Sequence, residues 1–289
     1  MNDNIVWGWP VVFYLWLAGM AGGAYMAAYL VHNLSGRQHR TLLRLGTYVG
    51  IPLFGLGMLL LTLHLGRMEW NWHLFASFRP SSVMWVGTYA LLIGTVVSIG
   101  LALRELGELL GYKIAIMTTV EQGITTLGFL FSLVVVGYTG VLFAQTVRPL
   151  WQTTLLLPWL FFASAFSTGI GLLLIALHAI PTSESPTVLP TLHRLLALFI
   201  GIDLVILALE VVWHAIVNVS VVMPILTGTF GLVFWIGLVA IGLVVPLVLE
   251  VRGQRAGELT TRTLGLIVPG LVILGGLAMR YVIVFGGQV

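Results

Sequence analysis

A chain of 289 residues with 59% apolar and only 8% charged residues has too little polar surface to fold as a water-soluble globule of that size. The formal net charge of +3 comes from basic residues scattered between apolar runs, so no basic patch for nucleic acid is formed. The protein has no cysteine, which excludes disulfides, thiolate metal sites and any iron–sulfur cluster held by this polypeptide alone.

Eight runs supply the roughly 20 apolar residues that span a hydrocarbon layer of about 30 Å. In chain order they are Trp9–His32, Gly46–Leu65, Ser82–Leu103, Val120–Ala144, Thr154–His178, Leu195–Val217, Thr229–Leu249 and Leu264–Phe285. None alternates like a barrel strand, and unsatisfied backbone groups are costly in lipid, so the predicted fold is an all-α integral membrane bundle of eight helices. Two groups of four crossings are the natural subdivision, within a single domain over residues 1–289 with no linker. The first run lacks a basic leader and a cleavage site and reads as a retained crossing.

Loop charge sets the expected orientation. Connections one, three, five and seven carry Arg37, Arg40, Arg44, Arg104, Lys113, Arg194, Arg252, Arg255 and Arg262, against Arg67, Arg79, Arg148 and Arg280 elsewhere. By the positive-inside rule both termini face outward and the odd connections lie in the cytoplasm. The expected location is a prokaryotic inner membrane, as a multi-pass protein.

The first run contains Gly19, Gly22 and Gly23 on neighbouring turns, which suits close packing of a helix or a flat ligand. Between the second and third runs, residues 66–81 hold Arg67, Glu69, Trp70, Trp72, His73 and Arg79, too aromatic for a solvated loop. The fourth and fifth runs meet across Gly137–Trp159, where Tyr138 lies near the end of an apolar helix and Gln145, Arg148 and Trp151 follow. A phenol just below the water line, beside an arginine and aromatic rings, can hydrogen-bond a quinone head group entering from the bilayer. The competing reading makes Tyr138 and Trp151 ordinary interfacial anchors.

Intramembrane ionisable groups are functional candidates by default. Asp203, Glu210 and His214 are seven and four residues apart, which puts all three on one face of the sixth helix. With Glu121 and His178 at the inner side they make a candidate proton route; the alternative is that Glu210 and His214 only tie the bundle together. His64, ending the second run, can exchange a proton near neutral pH or simply cap its helix. His64 and His214 are also the only outer pair suited to a b-type haem.

Taken in order, AGMAGGAYM, LTLHLGR, WNWHLFASFRPSSVMWVGTY and GYTGVLFAQTVRPLWQTTLLLPWLFFASAFSTGIG resemble the NrfD/PsrC family, the membrane subunit of polysulfide reductase-like complexes. The resemblance covers the first five crossings by motif and the last three by hydropathy. It implies a helical bundle that carries no cofactor of its own and exchanges electrons between membrane menaquinone or ubiquinone and an iron–sulfur subunit on the outer face. A molybdopterin or cytochrome catalytic subunit would complete the complex. Tyr138 matches the family's quinone tyrosine, and His64 stands where many members carry an aspartate. Tyr14, Arg67 and Trp85 complete the candidate quinone set, and Trp72, Arg79 and Arg148 are candidates for docking a partner. Rival classes are an ion-coupled secondary transporter using the acids of the sixth helix, and a b-type cytochrome anchor.

Overall fold

Each apolar run folds as a helix, because in lipid only the i→i+4 ladder satisfies every backbone group within its own segment. The computed structural model describes residues 7–64, 82–111, 118–146, 148–152, 154–257 and 262–288. The long helices among them are α1 (Trp9–Leu34), α2 (Arg40–His64), α3 (Val83–Leu109) and α4 (Thr118–Ala144). After a short α5 (Pro149–Gln152) come α6 (Leu156–Ala179), α7 (Ser185–Val217) and a short α8 (Val219–Leu226). The bundle is completed by α9 (Val233–Ala256) and α10 (Arg262–Gly286). Apart from α5 and α8, these are eight helices long and apolar enough to cross a membrane. No strand occurs among the described residues.

The helices outrun the apolar segments at one end of the bundle. α2 starts at Arg40 rather than Gly46 because the Glu184 carboxylate accepts hydrogen bonds from the backbone N–H of Thr41 and Leu42 at 3.0 and 3.2 Å, capping it from a distant part of the sequence. α7 starts at Ser185 rather than Leu195, with a proline in its first turn where the missing N–H costs nothing. α9 runs on to Ala256 and stops at Gly257, whose φ of 71° is the left-handed C-cap that glycine adopts freely. Its first part, Val233–Val244, is wound as a π-helix; α geometry resumes at Val245, next to Pro246, which has no N–H to give.

The packing forms two groups of four, α1–α4 and α6, α7, α9 and α10, with α1 against α6 as the main seam. At this seam the backbones nearly touch. A Cβ on Gly23 would strike the Ala165 carbonyl, and one on Gly169 would strike the backbone of Gly23 and Ala24. Of the first-run glycines, Gly22 faces Ser132 and Val136 of α4, and Gly19 leaves room for the Arg280 guanidinium. Helix packing fills these positions.

Both termini lie at one end of the bundle, where the Gln288 side chain accepts from the Trp7 N–H and donates to the Trp7 carbonyl, each at 2.9 Å. Trp7 stacks on Trp151 at 5.3 Å, and Phe143 meets both edge-on at 4.8 Å. Trp151 is buried and donates to the Ile283 carbonyl at 2.9 Å, so it packs inside the bundle instead of anchoring at a lipid surface. Arg280, counted among the outer charges although it lies inside the eighth apolar run, is fully buried within α10. The basic residues of the even connections and termini are therefore three, Arg67, Arg79 and Arg148, against nine on the odd connections.

Candidate functional site

In the α1–α4 group the phenol of Tyr14, near the start of α1, is hydrogen-bonded to the phenol of Tyr138, near the end of α4. Both residues are buried, and two adjoining helices shape their cage. A Cβ on Gly57 of α2 would stand 3.4 Å from the Tyr14 ring, and Gly87 of α3 lies so close to the Tyr138 ring that a Cβ there would overlap it. On α3, one half-turn to either side of Gly87, Trp85 and Tyr89 pack with ring centroids 4.4 Å apart. Two residues is about 200° around a helix, so this pair lies on the face of α3 turned away from the Tyr14–Tyr138 hydroxyls, which sit roughly one and a half helical turns below the terminus-bearing end.

His64 closes α2 at the same end. Its side chain, and the whole of Arg67, Trp72 and Arg79, lie outside the described residues. Arg148 precedes α5, where its carbonyl accepts the N–H groups of Trp151 and Gln152 at 3.0 Å each.

The acids of the sixth crossing point inward from α7. Asp203 is buried and accepts from the Ser167 hydroxyl of α6 at 2.8 Å. Nearby, Arg280 donates to the Leu15 carbonyl at 3.1 Å, the Ser164 hydroxyl at 3.0 Å and the Gly276 carbonyl at 2.8 Å. Its guanidinium also covers the Phe161 ring at 5.7 Å and lies within electrostatic reach of Asp203. A buried cation here is tolerable because a buried acid and several oxygens surround it.

Glu210 faces the Thr154 hydroxyl, and its carboxylate oxygens otherwise have no hydrogen-bond partner among the described residues. His214 sets Nδ1 against the Glu210 carbonyl at 2.8 Å and Nε2 against the Leu150 carbonyl at 3.1 Å. Both ring nitrogens are thus turned to backbone carbonyls rather than to a haem iron. Glu210 and His214 border an apolar cavity of about 40 Å³. A smaller cavity of about 10 Å³ touches Asp203, Ser164 and Ser167 and shares Leu160, Leu207, Leu238 and Met279 with the first.

Glu121 is not part of this line. It pairs with Arg40 at 2.8 Å and Arg104 at 3.1 Å at the far end of the α1–α4 group. At the far end of the other group, His193 and Glu250 form a buried pair at 2.9 Å, and the His178 ring lies 6.1 Å from that of His193. Sequence reasoning assigned no role to Arg280, His193 or Glu250. Arg280 was visible as a charge inside an apolar run, whereas His193 and Glu250 precede or follow the runs that hydropathy delimits. No cluster of three or more potential metal ligands occurs among the described residues.

An eight-crossing bundle with a caged tyrosine pair in one half and a buried acid–arginine network in the other defines an integral membrane subunit with polar chemistry near one surface. The protein belongs to the NrfD family: the family model described as polysulphide reductase, NrfD, matches residues 1–289. It is 28% identical to the C polypeptide of polysulfide reductase from Wolinella succinogenes, over 99% of its own length and 95% of the relative. It is also 28% identical to protein NrfD of Escherichia coli, over 99% and 96% respectively. The C polypeptide of selenate reductase from Mesobacillus selenatarsenatis is 25% identical, over 98% of the present sequence and 74% of the relative.

Proposed function

We propose that this protein is the quinone-reactive membrane anchor of a respiratory oxidoreductase complex, handling electrons between menaquinol or ubiquinol and an iron–sulfur subunit on its terminus-bearing face. The supporting observation is the buried Tyr14–Tyr138 pair, held between Gly57 and Gly87. A quinol, when bound, supplies two electrons and two protons. Tyr138 and Tyr14 offer hydroxyls to its oxygens, and His64 is the titratable group that takes up one proton, the other leaving to the outer surface. Arg67, Arg79, Arg148 and Trp72 belong to the face that docks the partner.

Membership of the NrfD family supports the anchor role, because relatives of this protein are named as parts of polysulfide and selenate reductases. A molybdopterin or cytochrome subunit would supply the reducing or oxidising site that this polypeptide lacks. The basic bias of the odd connections supports a docking face on the outer side of a prokaryotic inner membrane.

The decisive experiment replaces Tyr138 with Phe and His64 with Ala in the assembled complex and follows quinol-dependent turnover. Undiminished rates in both variants would remove the site. Substrate-driven ion flux by the isolated protein in liposomes would instead favour a secondary transporter.

A second reading is favoured by the cavities beside Glu210 and Asp203. Buried carboxylate oxygens without protein partners are normally met by ordered water, and the cavity of about 40 Å³ has room for water at its Glu210 end. His214, Glu210 and Asp203 thereby form a proton-handling branch reaching from the terminus-bearing end to mid-membrane.

A further inference from the structure

At the end of the bundle away from the tyrosine pair, α1 and α7 both pack on α6 but barely touch each other. The gap is a cleft of about 310 Å³ with α6 as its floor. Phe166 and Ile170 line that floor, and Phe166 stacks on Phe199 of α7 with centroids 4.5 Å apart and planes 7° from parallel. Leu30, Val31 and Leu34 of α1 form one wall, while Leu195 and Phe199 of α7 form the other. Along α7 the lining extends from Thr191 to Phe199, about 12 Å at 1.5 Å per residue.

One end of the cleft differs chemically from the rest. Ser35, His39 and Thr191 line the end nearest the helix termini, and everything deeper is hydrocarbon or aromatic. Two exposed arginines lie close in sequence to this mouth, and Arg194 is one turn along α7 from Thr191. Arg37 lies between Ser35 and His39 in the α1–α2 turn; its side chain lines the neighbouring pocket with Arg40 and Glu121 and is long enough to swing to the mouth. The one acid close to the mouth, Glu184, stands 3.9 Å from His39, but its two oxygens already accept the N–H groups that begin α2. The net field at the mouth therefore favours an anion. A ligand matching this shape has a long apolar tail and a negatively charged polar head.

We propose that this cleft is a binding site for one anionic phospholipid, with an acyl tail lying along Phe166 and Phe199 and the phosphate at the Arg37–His39–Arg194 mouth. The charge pattern of the whole protein points to the same leaflet. This end carries the basic connections that the positive-inside rule assigns to the cytoplasm, where anionic lipids attract basic side chains by about 1 kcal/mol each. The bound lipid fills the gap between α1 and α7 that no side chain among the described residues closes.

The test uses the full-length protein solubilised in mild detergent. Native mass spectrometry and lipid extraction are applied to the unmodified protein, to Phe199→Trp, which fills the cleft, and to Arg37→Gln combined with Arg194→Gln, which discharges its mouth. The expected result is an anionic phospholipid retained by the unmodified protein and depleted several-fold in both variants. Returning phosphatidylglycerol, but not phosphatidylcholine, to delipidated protein should raise its unfolding midpoint, and this shift should vanish in the variants. If Phe199→Trp fails to fold, the arginine variant alone decides. The site is overturned by no retained phospholipid, by equal retention in the arginine variant, by an isoprenoid quinone as the retained species, or by a co-purifying polypeptide that crosslinks into the cleft.

Discussion

The Arg280 guanidinium of α10 donates through Nε to the carbonyl of Leu15, one residue along α1 from the Tyr14 phenol. A single turn of α1 therefore contacts the aromatic site of one four-helix group and the charged network of the other. The two are joined across the α1–α6 seam, where Gly23 and Gly169 admit no side chain. Any shift of Tyr14 along its helix is felt by the carbonyl that holds Arg280, and through Ser164 by the surroundings of Asp203.

The tyrosine pair makes the first prediction. Tyr138→Phe and Tyr14→Phe each remove one hydroxyl from a buried hydrogen bond whose net worth is about 0.5–1.5 kcal/mol. Because the two share one bond, the double variant should lose less stability than the sum of the singles. On the quinone reading, Tyr138→Phe also slows quinol oxidation by about tenfold or more, the kinetic equivalent of ~1.4 kcal/mol. Thermal unfolding and quinol turnover of the three variants check both parts.

Gly87 sets up a sharper comparison within α3. A methyl group at Gly87 overlaps the Tyr138 ring, whereas one at Gly94 meets Phe131 at an ordinary 3.6 Å. Gly94→Ala should therefore be neutral or stabilising by up to about 1 kcal/mol through helix propensity. Gly87→Ala should destabilise by about 1–3 kcal/mol as the ring is displaced, and quinol turnover should fall with it. Equal behaviour of the two variants would mean that the phenol has room to move and that Gly87 does not position it.

How far the sequence foretold this arrangement depends on the range of the interactions. The eight crossings were legible because hydropathy is local and each run is long enough to be unambiguous. The early start of α2 was not, since the group that caps it, Glu184, is more than a hundred residues away in sequence. Tyr138 and Tyr14 were both legible as candidates, but no periodicity across their separation of 124 residues shows that their phenols meet. Arg280 was misassigned to a terminus because the count of loop charges treats every arginine near the end of a run as interfacial. Its burial depends on Gly19 making room on one helix and Ser164 and Asp203 supplying oxygens on two others. His193 and Glu250 lie 57 residues apart on segments that read as helix margins, and only the packing of α7 against α9 brings them together.

Arg280 and Asp203 yield a stability prediction with an internal control. Arg280→Leu leaves Asp203 buried without the charge nearby; the two groups are not in direct contact, so the cost should fall below the about 3–5 kcal/mol of breaking a buried ion pair. Arg280→Leu combined with Asp203→Leu removes both charges and should recover much of that loss. Detergent-solubilised unfolding midpoints test this directly. A double variant no more stable than Arg280→Leu alone would show that the hydrogen bonds to Leu15 and Ser164, not the charge balance, are what Arg280 supplies.

The buried acids give the last prediction, and it turns on where the polar line stops. From His214 through Glu210 to Asp203, titratable groups border a nearly continuous pair of cavities. Beyond Asp203 the next titratable groups on this side are His193 and Glu250, and His193 lies ten residues further along α7, about 15 Å away. The stretch between them is closed by Leu196 and Ile200 of α7 and by Leu173, Leu174 and Leu177 of α6, all buried. On the proton-branch reading, protons would reach Asp203 from the terminus-bearing end and stop at this layer unless α6 and α7 rearrange. In the reconstituted complex, Glu210→Gln and Asp203→Asn should lower any proton uptake or release linked to quinol turnover while leaving electron transfer within a few-fold of the unmodified rate. Replacing Leu196 with Asn adds a polar step in the layer and should raise passive proton leak across the vesicle membrane. Unchanged proton stoichiometry in both acid variants would reduce the α7 acids to a structural network that balances Arg280.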